Sequence, residues 1–406
     1  MRWLAAIVAM AALAACGGGA GSGGTTPPSN PVPTGSNVVP LLIDAGIGAT
    51  GVNIPSVSVE ICAPGTTNCQ TIDHILLDTG STGLRIMAAA LSTLKASSLP
   101  QVGGAANPTW ECLIFADGYS WGSLRTVDVK LANGTATNQQ VQLIGDPAIT
   151  VAPADCAAGG APENTPSSFG ANGVLGVSPL QYDCGSACET IANPAGLGFY
   201  YACPGGACTG ITMAKANQVQ NVLPALSGGN GNGIAIVVPQ IHDEGSTTVT
   251  GALVLGIDTQ SNNPLGTATV LAVDPVFGEF RTTYKGTVLP GGFLDTGSNG
   301  FFFPDASITE CKNMAGFYCP AATLSLSAVN SAYGGSASST VAFKVGNAEL
   351  LTTTHGSYAA FNNLGGPDAA TSSSFDFGMP FFYGRSVYVG FEGQSTSGGN
   401  GPFFAY

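Results

Sequence analysis

Apolar and polar residues alternate along many short stretches of the chain. Residues 57–61 read Val-Ser-Val-Glu-Ile, and residues 127–131 and 341–345 follow the same period of two. This period places apolar side chains on one face and predicts half-buried β-strands, with frequent glycine and proline supplying the turns. Helices are predicted only at Met87–Leu94 and Met213–Leu223. We therefore predict an all-β protein without the alternating strands and helices of a parallel sheet.

One six-residue pattern occurs twice. Residues 76–81 read Leu-Leu-Asp-Thr-Gly-Ser, and residues 293–298 read Phe-Leu-Asp-Thr-Gly-Ser. Two copies, one in each half of the chain, are much harder to reach by chance than a single Asp-Thr-Gly turn. An apolar strand would bury each segment, and the glycine would allow a close backbone approach. If the two loops met face to face, Asp78 and Asp295 would share a proton, one acting as a base for water and the other as an acid for a carbonyl.

The residues next to each aspartate have predicted supporting roles. The serines would hydrogen-bond the carboxylates, and the threonines would bond across to the opposite loop. The candidate catalytic residues are Asp78 and Asp295, supported by Thr79, Gly80, Ser81, Thr296, Gly297 and Ser298.

Each copy of the motif is followed by an apolar segment that ends in glycine. Residues 172–177 follow the first copy, and residues 376–391 follow the second. With these motifs the chain resembles the pepsin-like aspartic proteases from about residue 50 to 395. The resemblance implies a bilobal fold with two pseudo-symmetric β-barrel-like lobes, at 41–235 and 236–406. It also implies an aspartic endopeptidase that holds an extended polypeptide substrate and needs no cofactor, and we expect a monomer.

The family covers its cleft with a β-hairpin flap, and residues 115–122 are similar to it. The predicted flap and substrate-binding residues are Phe115, Gly118, Tyr119 and Trp121. Matching the flap glycines places Phe115 where the family usually has a tyrosine, which is a departure from the family pattern.

Two other functions compete with a peptidase. The segment 118–122 reads Gly-Tyr-Ser-Trp-Gly and fits the nucleophile elbow of serine hydrolases, with Ser120 as the nucleophile. That elbow requires a helix after the serine, whereas residues 125–130 alternate like a strand. The second alternative is a pepsin fold retained as a non-catalytic binding or inhibitor protein. Such proteins usually lose one aspartate, and both motifs are intact here.

The N-terminus has the features of a secretory signal. Residues 1–15 combine one arginine with a short apolar run, too short to span a bilayer as a helix. The Leu-Ala-Ala-Cys segment ending at Cys16 resembles a bacterial lipobox, which implies lipidation of Cys16 and a membrane partner through the lipid. By the same resemblance, Gly17 favours the outer membrane, with the protein facing the periplasm or the cell surface. Residues 16–40 are predicted to be the lipidated cysteine and a flexible linker.

Ten cysteines remain beyond Cys16, an even number that suits disulfides in an oxidising compartment. Three predicted pairs are Cys62–Cys69, Cys311–Cys319 and, by elimination, Cys112–Cys156. The other four are predicted to cross-pair over one hairpin, in either of two ways, and these are Cys184, Cys188, Cys203 and Cys208. Their spacing also fits a zinc site, but thiolates outside the cytoplasm oxidise readily, so no metal is expected.

Charge narrows the range of partners. Charged residues make up 9% of the chain and hydrophobic residues 44%, and the net charge is −13. Low charge with high hydrophobicity favours a folded chain over a disordered one. A negative surface repels phosphate backbones, so nucleic acid is excluded as a partner.

Overall fold

The computed structural model of the protein describes residues 30–190, 192, 199–368 and 373–406. Strands make up 41% of it and helices 10%, which confirms the all-β prediction. The predicted signal peptide and Cys16 lie outside the described residues.

The described residues contain 25 strands. In the first half of the chain they are β1 (Val38–Asp44), β2 (Ile54–Cys62), β3 (Cys69–Asp78), β4 (Thr82–Met87), β5 (Thr109–Ile114), β6 (Gly118–Leu131), β7 (Gly134–Ile144), β8 (Ala161–Pro162), β9 (Gly173–Val177), β10 (Phe199–Ala202) and β11 (Thr209–Gly210). In the second half they are β12 (Gly233–Val237), β13 (Val249–Leu255), β14 (Val270–Ala272), β15 (Phe280–Tyr284), β16 (Thr287–Leu294), β17 (Phe301–Phe302), β18 (Leu324–Ser331), β19 (Ser338–Val345), β20 (Gly365–Gly366), β21 (Ser374–Phe377), β22 (Ser386–Gly390), β23 (Ser395–Thr396), β24 (Gly399–Asn400) and β25 (Phe403–Ala405).

The helices are short. The α-helices are α1 (Ala154–Ala157), α2 (Pro166–Phe169), α3 (Ala187–Thr190) and α4 (Ala348–Thr354), and the 3-10 helices are Ala88–Ala90, Ala96–Ser98, Pro204–Gly206, Lys215–Asn217, Leu223–Ala225 and Met379–Phe381. The helices predicted at Met87–Leu94 and Met213–Leu223 are therefore wrong. The first stretch holds one 3-10 turn, at Ala88–Ala90, and the second holds Lys215–Asn217 and the first residue of Leu223–Ala225. Neither turn continues as a helix, because the residues that follow, Leu91 and Gln218, are in extended conformation. None of the described helices is long and apolar enough to cross a membrane.

The strands form one large sheet and two smaller ones. The large sheet has 16 strands in the order β11-β10-β5-β6-β7-β4-β9-β3-β2-β1-β13-β12-β22-β25-β14, with β8 beside β6. The second sheet has seven strands in the order β19-β18-β15-β16-β21-β17-β20, and β23 pairs with β24. Because β1 of the first half pairs with β13 of the second half, the large sheet joins the two halves of the chain.

A four-strand arrangement occurs once in each half of the chain. The order β3-β9-β4-β7 is matched by β16-β21-β17-β20. In each set the first pair is parallel, the second antiparallel and the third parallel. The internal sequence repeat is thus matched by a structural repeat, and both copies of the Asp-Thr-Gly-Ser motif follow the first strand of their set.

The main hydrophobic core includes residues from both halves, such as Leu77, Leu175, Leu294 and Phe377. A separate cluster packs Trp110 on Trp121 and on the Cys112–Cys156 disulfide. The predicted linker ends earlier than residue 40, because β1 begins at Val38. The predicted lobe boundary between residues 235 and 236 falls inside β12.

Five disulfides are present, and the pairs Cys62–Cys69, Cys311–Cys319 and Cys112–Cys156 are confirmed. The predicted cross-pairing of the other four cysteines is wrong. Cys184 bonds to Cys188, and Cys203 bonds to Cys208, at sequence separations of 4 and 5. Each pair is closed by its own local turn, and the two pairs belong to different hydrophobic clusters, so they do not meet.

Candidate active site

The two aspartates stand at matching points of the repeated strand arrangement. Asp78 is the last residue of β3, where it aligns with Gly176 of the parallel strand β9. Asp295 directly follows β16, and its backbone N–H donates to the Phe377 carbonyl of the parallel strand β21 at 3.1 Å. Both side chains are almost fully buried. Each carboxyl therefore stands at the end of a strand whose backbone is held by a parallel neighbour, β9 beside β3 and β21 beside β16.

Each carboxyl receives the same two hydrogen bonds from its own loop. The Gly80 N–H donates to Asp78 Oδ1 at 2.8 Å, and the Ser81 hydroxyl donates to Asp78 Oδ2. In the second loop the Gly297 N–H donates to the Asp295 carboxyl at 2.7 Å, and the serine that follows it donates at 2.8 Å. These donors fix the orientation of both carboxyl planes.

The two threonines bond across between the loops. Thr79 Oγ1 donates to the Leu294 carbonyl at 2.8 Å and accepts from the Thr296 N–H at 2.9 Å. Thr296 Oγ1 donates to the Leu77 carbonyl at 2.6 Å and accepts from the Thr79 N–H at 3.0 Å. All four bonds are buried and reciprocal. They clamp the two aspartate loops to each other independently of any substrate.

Removing one hydroxyl of this clamp should destabilise the fold. We expect Thr79→Val to lower the free energy of unfolding by about 1–3 kcal/mol, because a buried N–H and a buried carbonyl lose their partner at nearly constant volume. Denaturant unfolding measures the change. Thr137→Val, at an exposed position on β7, is the matched control. Equal stability of the two variants would contradict a structural role for the clamp.

The clamp brings the carboxyls into contact. A Cβ atom added at Gly297 would lie 2.7 Å from Asp78 Oδ1 and 3.0 Å from Asp295 Oδ1, so only glycine fits between them. Burial, and then the charge and hydrogen bonding of Asp295, raise the pKa of Asp78 to about 8. Two carboxyls this close do not both ionise readily. The pair therefore keeps one proton up to a pH well above the usual pKa of an aspartate.

Both aspartates open into one cleft of about 370 Å³. One wall is the tip of the β5–β6 hairpin, residues 113–116, together with residues 178–183. The opposite wall is the loop 276–279, between β14 and β15, with Phe293 behind it. In this loop Val276 is 54% exposed and Phe277 is 63% exposed. The cleft therefore combines a polar floor with apolar rims.

The site lies within a region that matches a known sequence family. A family model described as "Protein of unknown function (DUF3443)" matches residues 33–406. The chain belongs to this DUF3443 family. No curated protein matches the chain. The matched range includes both aspartate loops and every described strand, so the site lies wholly within the DUF3443 region.

The four predicted flap residues of this DUF3443 chain lie in different surroundings. The strands β5 and β6 form the expected hairpin, and Phe115 at its turn lines the cleft and contacts Phe169. Tyr119 and Trp121 instead belong to the hydrophobic cluster behind the hairpin, where Trp121 Nε1 donates to the Ile149 carbonyl at 3.1 Å. Gly118 packs against Ala161 and does not line the cleft, although its carbonyl accepts a hydrogen bond from the Phe115 N–H at 2.8 Å. Of the four residues, only Phe115 lines the cleft.

The strand–turn–helix of a nucleophile elbow is not found around Ser120. Residues Gly118–Leu131 form one continuous strand, and no helix follows it before β7. The Ser120 hydroxyl is fully buried and donates to Gln142 at 3.0 Å. The serine-hydrolase alternative therefore loses its structural basis.

Sequence reasoning missed three further acidic residues that line the cleft, namely Asp183, Glu279 and Asp376. Asp183 pairs with buried Arg85 at 3.1 Å. Asp376 was detectable: it occupies the place in the second repeat that Val174 occupies in the first, and a carboxyl in an otherwise apolar strand is unusual. Glu279 lies on a loop with no counterpart in the repeat, so no sequence signal identified it.

Proposed function

We propose that the protein is an aspartic endopeptidase with a pepsin-like bilobal fold, in which Asp78 and Asp295 hydrolyse peptide bonds. The observation that carries the proposal is the reciprocal threonine clamp, which holds two carboxyls face to face at the floor of a cleft. A scaffold kept only for binding has no need of two matched, proton-sharing carboxyls. The duplicated four-strand arrangement supports the bilobal, pseudo-symmetric fold.

The chemistry follows from the shared proton. The ionised carboxyl takes a proton from a water molecule, whose oxygen attacks the peptide carbonyl carbon. The protonated carboxyl donates its proton to the carbonyl oxygen, giving a neutral tetrahedral intermediate. The carboxyl that is now protonated gives its proton to the amide nitrogen as the C–N bond breaks, and a hydroxyl of the intermediate returns its proton to the ionised carboxyl. The products are a carboxylic acid and an amine, and the pair again holds one proton. Because the pair acts as a unit, neither aspartate is assigned a fixed protonation state.

The substrate is an extended polypeptide laid between the 113–116 hairpin tip and the 276–279 loop. Phe115, Phe277 and Val276 offer apolar contacts to side chains on either side of the cleaved bond. We further propose that Cys16 carries a lipid that anchors the enzyme to the outer membrane, facing the periplasm or the cell surface. Residues 30–37, which contain two prolines, would then lead from the anchor into β1.

Cleavage of an unfolded protein mixture tests the proposal. The purified chain, with its five disulfides intact, is incubated with the mixture from pH 3 to pH 10, and new termini are identified by mass spectrometry. We expect endoproteolytic products at acidic and neutral pH and a fall in rate as the pH rises past about 8, where the aspartate pair loses its shared proton. The absence of new termini at every pH, from protein shown to be folded, would contradict the proposal.

A further inference from the structure

The strand pair β16–β21 presents one face to the cleft. Register pairs Gly291 with Ser374 and Phe293 with Asp376. Side chains two apart in a strand point to the same face, so these four positions share a face. Phe293 and Asp376 both line the cleft, which identifies that face as its wall, leading directly to Asp295.

Asp376 stands on this wall next to the catalytic pair. The Ser298 hydroxyl, which holds Asp295, is also within hydrogen-bonding reach of Asp376. The Oδ1 atom of Asp376 is buried and has no hydrogen-bond partner among the described residues. Burial, and then the charge of Asp295, raise the pKa of Asp376 well above its usual range. The Asp376 side chain as a whole is only partly buried and lines the cleft, so a hydrogen-bond donor from a ligand can approach the carboxyl and offset the cost of its unpartnered oxygen.

Glu279 approaches the same wall from the opposite loop. Its Oε1 atom lies 3.4 Å from where a Cβ of Gly291 would stand, two register positions further from Asp295 than the Phe293–Asp376 pair. The Gly291–Ser374 and Phe293–Asp376 pairs are two residues apart along the strands, a distance of roughly 7 Å. Burial, and then Asp274, raise the pKa of Glu279. The wall therefore carries two carboxyls in a row beside the catalytic pair.

Neither of these carboxyls is compensated within the described part of the chain. No lysine, arginine or histidine lines the cleft, and neither Glu279 nor Asp376 forms an ion pair with a described residue. The exposed side chains of Val276 and Phe277 lie at the rim next to Glu279. Such a site has an apolar entrance for an aliphatic stem and carboxyl oxygens for a charged end, which are the contacts that lysine and arginine side chains make.

We propose that Glu279 and Asp376 form a subsite for a lysine or arginine side chain, so that the enzyme cleaves cationic polypeptides at a fixed distance from a basic residue. This inference rests on the proposed peptidase function and adds its substrate class. A positive side chain favours the ionised form of both carboxyls, so binding and ionisation support each other.

Two octapeptide libraries test the subsite. Both libraries are built from uncharged residues, and one test position is moved along the peptide. That position holds lysine in the first library and uncharged norleucine in the second. We expect the lysine library to be cleaved with a kcat/KM at least about tenfold higher at one position relative to the cut, as one buried charge-assisted contact supplies. Equal cleavage of both libraries at every position would overturn the inference.

Variants assign the preference to the two residues. Glu279→Gln and Asp376→Asn should each lower the lysine-to-norleucine ratio of kcat/KM by about fivefold or more, whereas Glu244→Gln, at an exposed position outside the cleft, should keep the parent ratio. Glu279 lies further from the catalytic pair, so its variant keeps the test valid if Asp376→Asn fails to fold. An unchanged ratio in Glu279→Gln would overturn the assignment.

Failure of the peptidase proposal is separable from failure of the subsite. If the parent cleaves neither library, the proposed activity is wrong, and the subsite is judged by calorimetric titration of the parent with the same peptides. Tighter binding of the lysine peptides than of the norleucine peptides would then support the subsite, and equal binding would overturn it.

Discussion

Replacing either Asp78 or Asp295 with asparagine is expected to lower kcat for peptide cleavage by about 10²- to 10⁴-fold, the range that a positioned acid or base contributes. Asparagine keeps the size of the side chain, and its amide oxygen still accepts the hydrogen bonds from Gly80 or Gly297. It does not take up or release the proton that the reaction needs. The loss should therefore appear in kcat, measured on a peptide chosen from the cleavage products, while the fold is retained.

The matched control is Asp73→Asn, a change of the same type at a side chain that is 70% exposed. It should leave kcat close to the parent value. The double variant Asp78→Asn/Asp295→Asn should be little worse than either single variant, because residues that act as a unit are not additive. If one of the single variants kept most of the parent activity, the pair would not be the catalytic unit.

Arg85→Met is expected to lower the free energy of unfolding by about 3–5 kcal/mol, the usual cost of breaking a buried ion pair from one side. Arg85 is fully buried in β4, and its Nη2 lies 2.8 Å from Glu111 and 3.1 Å from Asp183. Its Nη1 donates to the Thr82 carbonyl at 2.7 Å. Methionine would fill much of the space but leave Glu111 and Asp183 buried together without a cation.

The loss should also reach the active site. Thr82 directly follows Ser81, and Asp183 lines the cleft, so the network connects the first aspartate loop to the cleft wall. Denaturant unfolding compares Arg85→Met with Arg281→Met, which changes an exposed arginine on β15. A drop in stability of similar size in both variants would show that the network contributes nothing specific.

The strands and the two aspartate loops could be predicted from the sequence, because each depends on neighbouring residues alone. The alternating stretch at 127–131 lies within β6, and the stretch at 341–345 lies within β19. The duplicated motif predicted two equivalent loops, since each depends only on a buried strand followed by a glycine. The same motif predicted that the threonines bond across between the loops, and the structure shows these bonds over a separation of 217 residues.

Features that depend on packing between distant segments were not predictable. Tyr119 and Trp121 alternate along a strand in the same way as cleft residues would, but their face packs on Trp110 and Tyr201. The cross-pairing predicted for the four other cysteines failed because packing places Cys184 and Cys188 in a different hydrophobic cluster from Cys203 and Cys208. Glu279 joins the cleft wall only because β15 pairs with β16.

Binding of a pair of uncleavable peptides tests the central claim most directly. In one peptide a hydroxyl-bearing carbon replaces the carbonyl of the cleaved bond, and in the other that carbon is a plain methylene. Calorimetric titration of the parent should give at least about 10²-fold tighter binding of the hydroxyl peptide, which mimics the tetrahedral intermediate. In Asp78→Asn this difference should be lost. Equal affinity of the parent for both peptides would contradict the account and would favour a cleft that binds peptides without cleaving them.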